Sequence, residues 1–532
     1  MVFTLHRYIF RELLKVFLLA VVGLTLILSL GSVLRPVQEY GVGPRQVFSL
    51  MGYFLPITLT FVLPMAALFA SALVYGRLAS DNELDACRAS GISLGTLVYP
   101  GLALAVVVAT ANLILSFHML PYFVHLAEKS LKADAKQILF RNIQRRGFYE
   151  LPTDEPWLIY ADEAHIESDM LVGVIVAYVK DKGIERLYAA DRAIVKFNPH
   201  DRFNEVQIYV DHAFRMGPED TAFFSVEQGA ITTEFGSLLS DAIKFKKIDE
   251  MKRIGADLML FRPIEKLVRD IYAQFTTELL AQDIETTLAA DPNNLYRLHS
   301  AAKVVEFTAE KVAVGTEKVE LDGKILVIER DVTGVQKPLR LQPAKASLHI
   351  EGNKLAPTLT MDLYNVVDRE TGDLKMRHII RGLVRPARAD LREIFQSEDA
   401  LAAVRRGLDS PLLKKGLSKR LKDLGASLKK KIEHTLLKIR SEIHSRLAFG
   451  VGCVPMILIG IALGIIKKGG HLLTAFGASC IPAAALVVCI IGGKQVAENP
   501  DVTIASGVGL IWAGVVFLLV LAGGLYRWLL RN

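Results

Sequence analysis

Six long stretches without Asp, Glu, Lys or Arg, three near each end of the chain, enclose a long polar middle. The hydrocarbon core of a bilayer is about 30 Å thick, so a helix that crosses it needs roughly 20 apolar residues. A charge at the centre of such a helix would cost about 2.5–3.5 kcal/mol, which explains the uncharged stretches. They are residues 16–34, 46–76, 89–127, 447–466, 472–493 and 502–526. The sequence therefore predicts a polytopic membrane protein with six transmembrane helices, called spans one to six below.

Lys and Arg near the span ends predict the orientation of the chain, because short cytoplasmic loops carry an excess of these residues. Basic residues precede span one, flank the loop after span two, follow span four and close the chain; Arg7, Arg11, Arg77 and Arg88 are among them. Placing these residues inside leaves fewer basic residues in the short outer loops. Both termini are therefore predicted to be cytoplasmic, with residues of about 122–445 on the outer side of the membrane.

The polar middle is predicted to form a β-rich domain. Alternating or apolar runs such as Trp157–Tyr160 and Leu171–Tyr178 are typical of short strands separated by turns. The segment at about 240–302 favours helix, with Pro263 near one helix start, and strand character returns after it. This pattern predicts a jelly-roll-like sheet with a helical insertion. The predicted domains are 1–121 for spans one to three, 122–410 for the β-rich domain, 411–446 for a basic amphipathic helix and 447–532 for spans four to six.

The chain lacks several sequence signatures of catalysis. It contains no Gly-x-x-x-x-Gly-Lys-Ser/Thr phosphate loop and no His-Glu-x-x-His zinc motif. Its four cysteines lie outside the polar middle, and no Cys/His cluster has the spacing of metal ligands. We therefore predict no catalytic residues, no metal and no cofactor, and we expect the energy for any transport to come from a separate partner chain.

Residues 411–446 carry apolar side chains every three or four positions, with many lysines and arginines between them. This periodicity predicts an amphipathic helix, and its basic face has two interpretations. The helix packs on its own domain and its basic face is solvated, or the basic face meets anionic lipid headgroups or a phosphorylated glycolipid.

The short loop between spans two and three is predicted to carry a helix at 78–91. Ser80 or Asp81 can cap its start, acidic residues suit its positive first turn, and Gly91 can end it. Leu84 and a row of carboxylates are expected to be exposed on this helix. Such a helix is either a simple connector or a surface on which a cytoplasmic partner acts.

Four segments of the chain share features with one family of transporters. The segment around 78–91 is similar to that family's coupling helix, and Arg7–Leu14 is similar to its opening element. Pro121 lies where the family has a proline just beyond span three. The residues that match the family's Glu-x-His-x-Arg motif before span four are Glu442, His444 and Arg446. Together these segments resemble the LptF/LptG permeases, which extract lipopolysaccharide from the bacterial inner membrane.

The resemblance implies partners and site residues. It implies a second LptF/LptG-type permease, a dimer of ATP-binding subunits, a periplasmic jelly-roll bridge protein and lipopolysaccharide as cargo, with no nucleic acid. The residues expected to couple the chain to the ATPase are Asp81, Glu83, Leu84, Arg88 and Gly91. Arg35, at the outer end of span one, is a candidate contact for a lipid phosphate or an ordinary interfacial arginine.

Several alternatives stay open at the level of the sequence. Gly450 and Ala462 stand where the family often has proline, so both the F-type and the G-type role are compatible with the chain. A permease for another glycolipid or for a lipoprotein would have the same architecture. A non-transporting membrane scaffold with a periplasmic binding domain is a third reading, although it has no use for an acidic helix in a cytoplasmic loop.

Overall fold

The structure is a computed structural model. It describes residues 2–40, 44–133, 135–151, 157–180, 183–199, 204–216, 224–235, 242–290, 294–300, 302–315, 318–331, 337–351, 358–384, 400–409, 413, 416–466, 472–500 and 502–531. The chain divides into two compact units. The first unit comprises Met1–Ala256 and His434–Asn532, and the second comprises Asp257–Glu433.

Six helices in the described residues are long and apolar enough to cross a membrane, as the charge-free stretches predict. A helix satisfies most of its backbone donors and acceptors internally, which is what a lipid environment demands of a spanning segment. The helices that contain the spans and the short segments between them are α1 (Val2–Tyr40), α2 (Pro44–Ser80), α3 (Glu83–Ala89), α4 (Leu94–Ile114), a π-helical turn (Leu115–Met119), α5 (Leu120–Ala133), α6 (Ala135–Arg146), and, after the polar middle, α10 (Lys419–Ile466), α11 (Leu472–Glu498) and α12 (Ile504–Arg531).

One apolar core holds the first four spans together. Leu13 of α1, Val74 of α2, Leu104 of α4 and Ile461 of α10 are all fully buried in it. Leu84 of α3 belongs to the same core, so the short helix between spans two and three is packed against the spans. A second cluster packs α10 against α11 and α12.

The first unit also contains a six-stranded antiparallel sheet whose strands are neighbours in chain order. One face of the sheet is covered by α6, whose Leu139, Phe140 and Ile143 are buried against residues such as Ile159 and Val174. Alternation of apolar and polar residues along the strands produces this single buried face. The strands are β1 (Phe148–Glu150), β2 (Trp157–His165), β3 (Met170–Lys180), β4 (Gly183–Pro199), β5 (Asn204–Met216) and β6 (Phe224–Phe235).

The second unit is an eight-stranded half-barrel with a long helix. Its main strand order is β14-β13-β12-β11-β8-β7, with β10 paired to β12 and to β9. A bridge between His299 and Val384 links the two edges of this order. Leu280 and Ile284 of α8 are buried in the core of the half-barrel. The elements are α8 (Arg262–Ala290), β7 (Tyr296–His299), β8 (Lys303–Thr308), β9 (Lys311–Val314), β10 (Lys318–Asp322), β11 (Leu326–Asp331), β12 (Leu339–Glu351), β13 (Thr358–Asp368), β14 (Leu374–Leu383) and α9 (Ala400–Asp409).

The polar middle is β-rich as predicted, but one jelly-roll with a helical insertion is not confirmed. The predicted insertion at 240–302 contains α7 (Ile248–Ala256), which belongs to the first unit, and α8, which belongs to the second. In chain order, strands precede and follow these helices, and the two sets of strands form two separate sheets. The reason is that α8 buries its own apolar stripe against the later strands, so the helical segment separates two cores.

The predicted basic amphipathic helix begins later than residue 411. Gly416 has φ +75°, and the hydroxyl of Ser418 accepts a hydrogen bond from the backbone N–H of Leu421 at 3.1 Å, so Ser418 caps the start of α10. The helix then runs to Ile466 and includes span four, with no break at the expected boundary near 446. Leu421, Leu428, Ile432 and Ile439 form its buried stripe.

Candidate functional site

The helix between spans two and three is shorter than the predicted segment 78–91. The backbone N–H of Asp81 donates to Arg77 O at 2.9 Å, and α2 continues to Ser80. Asn82 then turns the chain with a left-handed φ of 57° and makes no side-chain cap, so neither Ser80 nor Asp81 caps α3. Ser80 instead donates its hydroxyl hydrogen back to Arg77 O.

Gly91 ends α3, as its residue type predicts. Its φ is +85°, a conformation that side chains other than hydrogen rarely adopt. The Gly91 N–H donates to Arg88 O at 3.0 Å and the Ile92 N–H donates to Cys87 O at 3.1 Å. These two bonds form a Schellman motif, which fixes the end of the helix relative to span three.

The side chains of α3 divide into one anchor and an exposed charged surface. Leu84 is only 4% exposed, so the expectation that it faces solvent is wrong. The reason is tertiary: the core of the spans extends to this loop and takes up the one large apolar side chain of the short helix. Asp81, Glu83 and Arg88 are exposed. We call these three residues together with Leu84 and Gly91 the loop site.

Two long-range contacts hold the ends of the spans beside the loop site. Glu12 of α1 accepts hydrogen bonds from Lys15 at 2.7 Å and from Arg77 of α2 at 3.4 Å. His6 Nε2 lies 2.9 Å from Thr96 O of α4. Sequence reasoning noted Glu12 only as part of the opening element, because no local pattern indicates its partner on α2.

The neighbouring run from Gly91 to Gly95 has the Gly-x-Ser-x-Gly spacing of a hydrolase nucleophile turn. Ser93, however, is the N-cap of α4: its Oγ accepts from the Thr96 N–H at 3.3 Å and lies 2.8 Å from Thr96 Oγ1. The run follows a helix, whereas a nucleophile turn follows a strand. Ser93 therefore has a structural role.

The motif before span four forms a buried ionic cluster. Arg446 Nε donates to Glu442 Oε1 at 2.9 Å, and Lys494 Nζ of α11 lies 2.5 Å from Glu442 Oε2. The side chains of Glu442 and Arg446 are 8% and 5% exposed. His444 accepts a hydrogen bond at Nδ1 from Trp512 of α12 at 3.3 Å. Of the three motif residues, Glu442 and Arg446 thus lie in one cluster, whereas His444 contacts span six.

The sequence did not indicate Lys494 as a partner of Glu442. Its only local signal is its position directly after the charge-free stretch that ends at Gly493. Glu250 of α7 is a further carboxylate in the first unit whose pKa is shifted. The imidazole of His125, whose Nε2 lies 3.8 Å from Oε1, and a hydrogen bond from the Lys247 N–H lower the pKa of Glu250 to about 2, against the opposing effect of burial.

Arg35 lies within α1, and its side chain falls outside the part of the chain that the structure describes. Among the described residues, no group of three or more His, Cys, Asp or Glu side chains could hold a metal ion. The absence of a metal and of a cofactor stays a prediction for the whole chain.

One comparison with known proteins gives a match. A family model described as "Lipopolysaccharide export system permease LptF/LptG" matches residues 7–269. No curated protein matches the chain. The matched region contains spans one to three, the loop site and the first sheet, and it ends within α8.

Proposed function

Because the chain belongs to the LptF/LptG family of lipopolysaccharide export permeases, we propose that it is one permease subunit of an ATP-driven exporter. The family and the six apolar helices identify a multi-pass membrane transport protein and not an enzyme. In the proposed assembly, a second permease of the same family and a dimer of ATP-binding subunits complete the transporter. It removes lipopolysaccharide from the bacterial inner membrane and passes it to a periplasmic jelly-roll bridge protein.

The observation that carries this proposal is the loop site. Asp81, Glu83 and Arg88 present charge to solvent, while Leu84 and the Schellman turn at Gly91 hold the helix against spans two and three. A helix held in this way transmits a force applied to its exposed surface, because interiors at native packing density are not easily compressed. The ATP-binding subunit is therefore proposed to bind the exposed face of α3 and to move the spans through Leu84.

The orientation of the proposed transporter follows the bias of Lys and Arg. With the loop site in the cytoplasm, both termini are cytoplasmic and the two β-rich regions are periplasmic. Acyl chains would be accommodated by apolar faces of the spans, including α2 with its internal prolines Pro56 and Pro64. Arg35 is the proposed contact for a phosphate group of the cargo.

Reversing the charge of Glu83 tests the proposal. The tagged chain is purified in mild detergent from native membranes as wild type, as Glu83→Arg and as Glu163→Arg, whose glutamate is exposed on the first sheet. The wild type and Glu163→Arg are expected to retain an ATP-binding subunit and a second six-span permease, and Glu83→Arg is expected to lose the ATP-binding subunit. Normal ATP-driven release of lipopolysaccharide by Glu83→Arg would contradict the coupling role. Recovery of neither partner with the wild type, but of another periplasmic protein, would favour the scaffold reading.

A further inference from the structure

The guanidinium group of Arg446 binds three backbone carbonyl groups in addition to Glu442. Nη1 donates to Ser116 O at 3.0 Å and to Lys246 O at 3.2 Å, and Nη2 donates to Lys244 O at 2.7 Å. The ring of Phe117 lies against the same group, with its centroid 5.7 Å from Cζ. A planar guanidinium can serve several acceptors at once in a fixed geometry, which a lysine ammonium cannot reproduce.

The carbonyl of Ser116 is available because of the proline that follows it. In an α-helix this carbonyl would accept from the N–H of Leu120, but in the π-helical turn that N–H donates to Leu115 O instead. The next candidate donor in the π-helical pattern is residue 121, and Pro121 has no N–H. Arg446 therefore supplies a hydrogen bond that the helix itself cannot make.

The bound carbonyls lie on two different paths of the chain between the spans and the first sheet. Ser116 precedes α5 and α6, which lead into β1, whereas Lys244 and Lys246 follow β6 on the way out of the sheet. The side chain of Arg446, on α10 directly before span four, therefore contacts both paths. His125 of α5 and Glu250 of α7, with Nε2 and Oε1 3.8 Å apart, form a second link between the same two paths.

Glu442 extends the cluster to span five. Its second carboxylate oxygen binds Lys494 of α11. The neighbouring Ser441 donates a hydrogen bond at 3.3 Å to Glu498, which also lies on α11. The charges of Glu442 and Arg446 are almost completely buried, so separating them would leave uncompensated charge in the interior. Movements of spans four and five therefore have to carry this cluster with them.

We propose that Glu442, Arg446 and Lys494 form a clasp, and that this clasp transmits movements of spans four and five to the two chain segments that enter and leave the first sheet. Arg446 and Glu442 are then positioning residues of the transporter. Because Pro121 has no N–H, the carbonyl of Ser116 can accept a hydrogen bond from Arg446. The proposal rests on the proposed function, because transmission is useful only where a partner moves the spans. A buried ion pair that merely stabilises the fold is the competing account.

The test compares Arg446→Lys, which keeps the charge but loses the planar fork, with Arg440→Lys on the exposed face of the same helix. The full chain with its co-purifying partners is reconstituted in proteoliposomes, and ATP hydrolysis and release of lipopolysaccharide are measured separately. For Arg446→Lys, release is expected to fall about tenfold or more while hydrolysis stays near the wild-type rate, since charge-assisted hydrogen bonds of this kind contribute a factor of that order. Arg440→Lys is expected to match the wild type.

Release at the wild-type rate would overturn the proposal. A parallel loss of release, hydrolysis and assembled complex would overturn it as well, because that result is what a purely structural ion pair predicts. Hydrogen exchange of the chain in detergent adds a readout that does not depend on transport. Amides of residues 120, 122–124 and 243–247 are expected to exchange faster in Arg446→Lys than in Arg440→Lys, with strands β3 and β4 unchanged.

The two readouts separate the clasp from the proposed function. If the wild-type assembly releases no lipid, the exporter proposal fails, and faster local exchange in Arg446→Lys would still support the clasp as the junction between spans and sheet. Unchanged exchange in both segments refutes the clasp whatever the assembly transports.

Discussion

Spans two and four approach each other closely at Gly464 and Gly76, and replacing each glycine by alanine has a different consequence. A Cβ atom at Gly464 would lie 2.5 Å from Ala72 O and 2.9 Å from Gly76 N, both backbone atoms. A Cβ atom at Gly76 would lie 3.6 Å from Gly464 O, which is an ordinary contact. We therefore expect Gly464→Ala to disturb the packing of α2 against α10 and Gly76→Ala to be tolerated.

The magnitude follows from the distances. Cβ contacts under 3.0 Å are essentially never seen, so at 2.5 Å Gly464→Ala requires the two backbones to move apart by about 0.5 Å or more. Overpacking of this kind costs about 1–3 kcal/mol. Replacing a helical glycine by alanine gains about 1 kcal/mol of helix propensity in either variant. This gain cancels in the comparison, so Gly464→Ala should be less stable than Gly76→Ala by about 1–3 kcal/mol.

Cys453 offers a direct assay of this packing. It is fully buried in α10 within the core that α2 shares, so a thiol reagent reaches it only when the helices separate. In a background without the other three cysteines, labelling of Cys453 in mild detergent is followed against temperature. Labelling is expected to occur at a lower temperature in Gly464→Ala than in the wild type, and Gly76→Ala is expected to equal or exceed the wild type. Identical behaviour of the two variants would refute the close approach of spans two and four.

Two further predictions concern the second unit and the topology. Hydrogen bonds from His378 and from Lys303 together lower the pKa of Glu329 from 4.5 to about 2, so the stability that these contacts contribute is complete above pH 4.5 and is lost as the pH falls towards 2. His378→Ala should therefore lower the free energy of unfolding near pH 5 more than near pH 2, as measured by hydrogen exchange of β11, and an equal loss at both pH values would contradict it. In a cysteine-free background, an impermeant thiol reagent should label Glu163→Cys in intact spheroplasts and Glu83→Cys only after lysis. Labelling of both before lysis would exclude the proposed orientation.

Much of the loop site follows from the sequence, whereas the cluster at span four follows only in part. Gly91 ends α3 because its residue type permits a positive φ, which is a local property. The exposure of Leu84 could not be judged from the loop, because the core that buries it is built from other spans. The Glu-x-His-x-Arg pattern indicated Glu442 and Arg446, but it did not indicate Lys494 or the carbonyl of Ser116.

The sequence by itself determined the six spans, because the cost of placing a charge in a bilayer acts on every residue separately. It also determined that the polar middle is rich in strands, because alternation along a strand is visible over a few residues. Only the tertiary structure decided that the strands form two sheets in two units and that Arg446 binds Ser116, 330 positions away along the chain. Hydrophobicity and backbone preference are carried by each residue, whereas the partner of a buried charge depends on which distant segments the fold brings within hydrogen-bonding distance.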